Sequence, residues 1–312
     1  MQRLLTSAAL SLGLVAGGLG TGGALAQDAT PAGGATFADT MGLPELAITA
    51  TDDGFDGLPA ETAAGRYVVT FSNQLTDEEN ASPSVGFIRL PEGQSLADLA
   101  PEPPTSEEEE LDPAALAWLY EAYVAGGAAA EPGQTGQAIV DLPPGEYVVW
   151  NDNPEGLAAA PTMTVTGEMP AELAEPEADV TVTEVGTGEG YAFEVEGELA
   201  PGPQVVAVVN TSDQPHFMEL ARLPEPITDE QLMAMMMAEE DAPPPPGLED
   251  FDFEAIELAA YAPAQSAGTT QWLAVDLQDG AHWIACWVPD PNNEGIPHAM
   301  EGMLELVTIG DA

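Results

Sequence analysis

The sequence GAHWIACWVPDPNNEGIPHAMEGM occupies residues 280–303 and combines a predicted strand that ends in cysteine with a loop that leads to a histidine and a methionine. It contains Cys286, which is the only cysteine of the 312-residue chain, and His298, which is one of three histidines. Side chains alternate between the two faces of a strand, so the run before the cysteine predicts His282 and Cys286 on one face. His298 and then Met303 follow after a loop. One strand end and one loop therefore gather a thiol, an imidazole and a thioether.

An internal repeat extends from this stretch to the rest of the chain. Residues 65–73, GRYVVTFSN, match residues 202–210, GPQVVAVVN, with the same spacing from Gly to Asn. Residues 140–147, VDLPPGEY, match residues 275–282, VDLQDGAH. The sequence therefore predicts two copies of one domain, which agrees with the domain count expected from the length.

The boundary between the copies is predicted where two prolines stand among acids and alanines. Pro170 and Pro176 mark residues 169–177 as a short linker. The first domain is then residues 43–168 and the second is residues 178–312.

Each copy consists mainly of predicted strands, which are short β-branched or aromatic runs between Gly, Pro and Asn signals. The predicted strands of the first copy are residues 46–51, 67–71, 85–90, 138–142, 147–150 and 163–166. Those of the second copy are residues 180–185, 191–195, 205–209, 217–223, 272–277, 283–287 and 304–309. Many short strands separated by turns predict an all-β fold of the β-sandwich type.

A helical insertion is predicted between the middle strands of the first copy. Asp112 caps the helix and Pro113 takes its first position. The predicted apolar stripe consists of Leu116, Leu119, Tyr120 and Tyr123.

The second copy has an insertion of the same kind. Thr228 and Gln231 form a capping box in front of a methionine-rich run. Met235 and Met236 fall in phase with Leu232, which predicts a core-facing stripe and disfavours a store of soft metal ions.

The order of residues around Cys286 resembles the cupredoxin (type 1 blue copper) superfamily. That family's last strands carry Gly-x-Tyr-x-Phe-x-Cys, then a loop, a histidine and a methionine, and an earlier strand begins with a histidine after a turn that contains asparagine. Residues 210–220, NTSDQPHFMEL, occupy that earlier place. The resemblance implies two tandem Greek-key β-sandwich (cupredoxin-like) domains with metal ligands only in the second. It implies one copper ion, with His216, Cys286 and His298 as equatorial ligands and Met303 as the axial ligand.

Two residues near these positions compete with the implied ligands. Met300 also lies close to His298, but Met303 is favoured because His-x4-Met is the commoner spacing of the family. His282 stands where the family pattern has tyrosine, and we interpret it as a core or surface histidine.

Two other interpretations of the cysteine stay open. Zinc could be bound by the cysteine and two histidines together with Asp290 or Glu294, since zinc accepts the same ligand types. The cysteine could instead be a small buried hydrophobe in a metal-free relic of the fold. A free thiol is unusual in an oxidising compartment, so Cys286 is expected to have a specific role. The nearby histidines and methionine favour copper binding as that role.

The first copy lacks a ligand set of this kind. Asn151 stands where the repeat places cysteine, and Pro83 stands where it places His216. All three histidines of the chain lie in the second copy.

The N-terminus predicts export. Residues 1–26 have the features of a secretory signal peptide: Arg3, an apolar stretch, and a small-x-small cleavage site that ends at Ala26. No apolar run in the sequence is long enough for a membrane span. The mature protein is predicted to be secreted or periplasmic.

The acidic composition limits the classes of molecule that the protein can bind. With 54 Asp and Glu against 4 Lys and Arg, the formal net charge is −50 at pH 7. Such a surface repels nucleic acid and anionic lipid, so both are poor partners, and we expect no nucleic acid among the partners. The resemblance implies an unidentified redox partner protein.

The sequence thus predicts a copper protein that transfers one electron at a time. Three histidines are too few for the additional copper site of a paired-domain oxidase or nitrite reductase, so we expect no enzyme. The alternative is a metal-free β-sandwich used for binding or surface interaction.

Overall fold

A computed structural model of the chain describes residues 37, 42–76, 84–99, 118–150, 160–187, 190–238 and 243–310. These residues are mostly β-structure, arranged in two large sheets and one short ladder. In this described part, no helix is long and apolar enough to cross a membrane. The predicted signal peptide lies outside it.

The strands are numbered in chain order. The first copy contains β1 (Glu45–Thr51), β2 (Gly54–Asp56), β3 (Glu61–Ala63), β4 (Gly65–Asn73), β5 (Ser84–Arg89), β6 (Tyr123–Ala129), β7 (Thr135–Leu142), β8 (Gly145–Trp150) and β9 (Thr162–Thr166). The second copy contains β10 (Val180–Thr187), β11 (Gly190–Glu196), β12 (Gly202–Asn210), β13 (His216–Arg222), β14 (Glu257–Gln265), β15 (Thr270–Leu277), β16 (Gly280–Ala285), β17 (Pro289–Asp290), β18 (Ile296–Pro297) and β19 (Leu304–Ile309).

The sequence repeat corresponds to a repeat of strand pairing. β1 pairs with β2 in antiparallel and with β4 in parallel orientation, and β10 pairs with β11 and β12 in the same two ways. β5 lies between β6 and β8, just as β13 lies between β14 and β16. The predicted all-β character is confirmed.

Both large sheets contain strands of both copies. The eight-stranded sheet has the order β11-β10-β12-β15-β7-β4-β1-β2, and the nine-stranded sheet has the order β19-β16-β13-β14-β6-β5-β8-β9-β3. The copies meet where β15 pairs with β7 and where Gln265 of β14 pairs with Ala125 of β6. Residues 169–177 contain no helix or strand. The division into separate Greek-key domains stays a prediction.

The main core follows from the alternation of side chains along the strands. Tyr147 and Val149 of β8 belong to one large cluster that contains residues of both sheets, whereas Val148 belongs to a smaller cluster elsewhere. In the same way Ile284 and Cys286 face the large cluster, and Ala285 between them faces a different one. The cysteine therefore points into the main core, as the predicted alternation requires.

Short helices accompany the strands: α1 (Leu96–Leu99), α2 (Trp118–Glu121) and α3 (Asp229–Met236). The capping box before α3 is confirmed, because the side chain of Thr228 accepts from the backbone of Gln231 and the side chain of Gln231 accepts in return. Leu232 is buried, and Met235 and Met236 pack beside it as predicted.

The insertion of the first copy differs from the prediction in one respect. Tyr123 begins strand β6 and is not part of a helical stripe, because the short helix α2 ends before it at Glu121. The backbone of Tyr123 instead pairs with Arg89 in the sheet. Asp112, Pro113 and Leu116 lie outside the described residues.

Candidate metal centre

A tight turn places His216 at the start of β13. The fully buried Asn210 holds this turn: its Oδ1 accepts from the backbone N–H of Ser212 at 2.9 Å, and its Nδ2 donates to the carbonyl oxygen of Gln214 at 2.8 Å. This use of an asparagine side chain within a turn is common. The imidazole of His216 is consequently buried in the core at the point where the strand begins.

The loop between Cys286 and His298 folds back on itself like a hairpin. β17 pairs with β18, and the backbone N–H of His298 donates to the carbonyl oxygen of Val288 at 2.9 Å. The carbonyl oxygen of Cys286 accepts from the N–H of Ala299 at 2.7 Å. These bonds bring His298 back beside the sulfur although the loop is long.

The loop returns through a short 3-10 helix, His298–Glu301, which ends at Gly302. Gly302 has φ 118, and a Cβ there would clash with the carbonyl oxygen of Tyr191. Only glycine fits this position, because its backbone is left-handed and β11 lies against it.

Three of the four predicted ligands come together. The Sγ of Cys286 lies 3.6 Å from Nδ1 of His216 and 3.8 Å from Nδ1 of His298, and the imidazole centroids are 4.4 Å apart. All three side chains have no exposed surface.

The separations fit one metal ion bound to all three side chains. Metal ions bonded at about 2.0–2.1 Å to nitrogen and about 2.3 Å to sulfur hold such donors roughly 3.5–3.8 Å apart. Two imidazoles and one thiolate with a weak axial thioether are the donor set of a type 1 copper site. The group formed by His216, Cys286 and His298 therefore fits copper.

Burial leaves both imidazoles in the form that binds metal. It lowers the pKa of His216 to about 2, with a further contribution from His298. It also lowers the pKa of His298 to about 4, against the opposing effect of Asp290 and Asp213. Both rings are neutral near pH 7 and can offer a lone pair.

The thiol of Cys286, unlike the two imidazoles, is held in the protonated form, which does not bind metal. Burial raises the pKa of Cys286, while backbone hydrogen bonds from Phe217 and Val288 act in the opposite direction. Without a cation the sulfur keeps its proton, so a metal that binds here must displace it.

Met303 is placed by the backbones of two ligands. Its N–H donates to the carbonyl oxygen of His298 at 2.9 Å, and its carbonyl oxygen accepts from the N–H of Cys286 at 3.0 Å. Its side chain is fully buried in the same core cluster as the cysteine, whereas Met300 is partly exposed. The axial role of Met303 stays a prediction that this arrangement favours. His282 lies outside the group, and its Nδ1 is 3.1 Å from the carbonyl oxygen of Gly280.

The carboxylates considered for zinc are not part of this group. Asp290, His298 and Glu301 have possible ligand atoms within 4.8 Å of one another, but Asp290 does not belong to the group that contains Cys286. Its Oδ1 already accepts from Gln214 and from the backbone of Asn292. The geometry therefore gives no support to zinc with either Asp290 or the exposed Glu294.

For three side chains, a place beside the ligands was not predicted from the sequence. Tyr191 packs on both imidazoles, with ring centroids 4.3 Å from His298 and 4.9 Å from His216. Gln214 contacts His298, and its place two residues before His216 was an available signal. Tyr120 reaches the loop from the first copy, and no local pattern indicates that contact.

The equivalent positions of the first copy, Pro83 and Asn151, lie outside the described residues. The prediction that this copy lacks ligands thus rests on its sequence, which contains no histidine.

No protein-family model matches the chain and no curated protein does. Among solved structures, an auracyanin from Roseiflexus castenholzii matches 43% of this chain and 100% of its own at 18% identity, with a TM-score of 0.26. A copper nitrite reductase from Nitrosomonas europaea matches 86% of this chain and 94% of its own at 14% identity, with a TM-score of 0.22. A multi-copper oxidase from Pediococcus acidilactici matches 86% of this chain and 60% of its own at 12% identity, with a TM-score of 0.24. Such low scores carry no argument about mechanism, and the fit to copper rests on the side chains.

One sequence prediction is corrected at this point. The exclusion of enzymes is wrong: solved structures similar over 86% of this chain include a copper nitrite reductase and a multi-copper oxidase, which are enzymes. The exclusion rested on a count of histidines. The number of histidines limits only the formation of a second, histidine-rich copper site. It does not exclude catalysis that needs no such site.

Proposed function

We propose that this chain is a copper-binding protein that transfers one electron at a time. One copper ion would be held by His216, Cys286 and His298, with the thioether of Met303 as a fourth, weaker donor. The observation that carries the proposal is the pair of short separations from Sγ to the two Nδ1 atoms, 3.6 and 3.8 Å, in a fully buried group.

A copper ion bound there supplies one-electron chemistry, because this donor set suits both Cu(I) and Cu(II). The contribution of the chain is to hold its donors in place. Backbone hydrogen bonds fix Cys286 to Met303 and to Ala299, and fix His298 to Val288. Ligands fixed in this way move little between oxidation states, which favours rapid electron transfer.

The proposed setting is outside the cytoplasm, after cleavage near Ala26, with an unidentified redox protein as partner. In the proposed organisation residues 43–168 form a domain without ligands, residues 169–177 link it, and residues 178–312 carry the site. The surplus of acidic residues supports a partner that is not a nucleic acid.

The test is a redox titration of the copper-loaded protein. We expect reversible oxidation and reduction by one electron per chain. His298→Ala removes an equatorial donor and is expected to lose both tight binding and the reversible transition. A copper-loaded wild-type protein that cannot be reduced and reoxidised would overturn the electron-transfer role.

A further inference from the structure

Gln214 connects His298 to two polar groups in the interior. Its Oε1 lies 3.2 Å from Nε2 of His298, and its Nε2 donates to Asp290 Oδ1 at 2.7 Å and to the hydroxyl of Tyr191 at 2.6 Å. Gln214 and Asp290 are each only 5% exposed, so water has little access to the hydrogen bonds between them and to the contact with His298.

The orientation of the Gln214 amide follows from its neighbours. The carboxylate of Asp290 accepts hydrogen bonds, so the NH₂ end of the amide must face it. Asp290 is itself held in place, since its Oδ1 also accepts from the backbone N–H of Asn292 at 2.7 Å. The carbonyl end of the amide is therefore the one that faces His298.

This orientation determines which nitrogen of His298 carries the proton. An amide oxygen only accepts, so Nε2 of His298 must be the protonated nitrogen. Nδ1 then carries the lone pair, and Nδ1 is the atom that lies 3.8 Å from the sulfur of Cys286. The opposite tautomer would place two acceptors face to face in the interior and a proton where the metal binds.

The other imidazole has no such contact. Nε2 of His216 is buried and has no hydrogen-bond partner within the described residues. An effect of Gln214 should consequently be confined to His298, which makes His216 an internal control.

We propose that Gln214 is a positioning residue: it holds His298 as the Nε2–H tautomer and so presents Nδ1 to the metal, with Asp290 fixing the amide. The link to metal affinity rests on the proposed function, whereas the tautomer is a property of the metal-free protein. Residues that orient a metal-binding histidine in this way typically change metal affinity by about 10- to 100-fold when they are lost.

The first experiment is made without metal. Protein labelled with ¹⁵N in its histidines is examined by long-range ¹H–¹⁵N correlation at pH 7.5, which distinguishes the two tautomers of each ring. We expect His298 to be the Nε2–H tautomer in the wild type and a mixture in Gln214→Leu. Signals of His216 should not change.

The second experiment measures copper affinity in the same variants. Gln214→Leu should bind copper about 10- to 100-fold more weakly. Gln204→Leu is the matched control, because Gln204 lies on β12 and its side chain, within the described residues, bonds to the backbone of Glu198 and Ala200, away from the ligands. It should leave both the tautomer and the affinity unchanged. If Gln214→Leu does not fold, Asp290→Ala decides, because it removes the acceptor that fixes the Gln214 amide and should also produce a mixture of tautomers.

A wild-type protein with His298 as the Nδ1–H tautomer would overturn the proposal. So would a Gln214→Leu variant that keeps the wild-type tautomer or the wild-type affinity. If the wild type has the expected tautomer but binds no copper, the proposed function fails while the control of His298 by Gln214 stands.

Discussion

The hydroxyl of Tyr120 donates a hydrogen bond to the carbonyl oxygen of Pro289 at 2.7 Å, across 169 positions of the chain. Tyr120 belongs to helix α2 of the first copy, and Pro289 lies in the loop between the ligands Cys286 and His298. Burial raises the pKa of Tyr120 to about 12, with smaller contributions from Asp290 and Cys286. The copy without predicted ligands thus supports the loop that carries the site.

Tyr120→Phe should loosen this loop. The substitution leaves the ring in place and removes one hydrogen bond, so the free energy of unfolding should fall by about 0.5–1.5 kcal/mol. Copper should also be released faster, because the Pro289 segment between two ligands is less restrained. Stopped-flow transfer of copper to a chelator measures the release.

Tyr147→Phe is the matched control for this change. The hydroxyl of Tyr147 donates to the carbonyl oxygen of Pro143 at 2.8 Å, entirely within the first copy. A similar loss of stability with unchanged copper release is expected. Equal acceleration of release by both variants would show that the contact acts only through global stability.

The two methionines near His298 should differ in their effect on the redox potential. A weak axial ligand tunes the potential more than it contributes to binding, so Met303→Leu should raise the potential and keep a coloured site. Leucine is close to methionine in volume, and the stability cost should stay below about 1.5 kcal/mol. Spectroelectrochemistry of the copper-loaded protein measures the potential.

Met300→Leu provides the comparison, because Met300 is partly exposed in the 3-10 helix. Its potential should remain close to that of the wild type. A shift from Met300→Leu as large as that from Met303→Leu would contradict the axial assignment.

Glu184 should make the stability of the metal-free protein depend on pH. This carboxyl has no exposed surface, and its Oε1 has no hydrogen-bond partner among the described residues. Burial raises its pKa from 4.5 to about 8, while a hydrogen bond from Gln265 acts in the opposite direction. The folded state therefore binds a proton more tightly than the unfolded state.

The sign of the effect follows from this difference. Between pH 4.5 and about 8 the folded protein holds the extra proton, so its stability falls as the pH rises, by at most about 1.4 kcal/mol per pH unit. Glu184→Gln cannot ionise and should be more stable than the wild type at pH 8 but not at pH 4.5. Urea unfolding at several pH values measures the difference.

An exposed carboxyl serves as the control for Glu184. Glu194 lies on the exposed side of β11, and Glu194→Gln should follow the wild-type dependence on pH. If Glu184→Gln also gave a curve parallel to the wild type, the buried carboxyl would not be the source of the dependence.

Much of the fold could be predicted because the repeat is present in local patterns. Residues 65–73 and 202–210 were matched from their sequences, and β4 and β12 have those bounds. The capping box at Thr228 could also be predicted from the sequence, since it depends on two residues that are three positions apart. His216, Cys286 and His298 were proposed because their order along the chain resembles that of the cupredoxin ligands, and the structure groups them.

The strands at the junction of the copies were missed for a physical reason. β6, YVAGGAA, and β14, ELAAYAPAQ, are rich in alanine and glycine and contain few β-branched residues. Small side chains give no strand signal, and these segments are strands because neighbouring strands pair with them on both sides. The contacts of Gln214 and Tyr120 with the site were missed because partners far apart in sequence leave no local pattern.

The most direct test of the account is the visible absorption of the purified protein during titration with Cu(II). We expect one copper per chain and an intense thiolate charge-transfer band that a reductant bleaches. Cys286→Ala should remain folded by circular dichroism and show no band. A folded wild-type protein that binds no stoichiometric copper, or a band that persists in Cys286→Ala, would contradict the central claim.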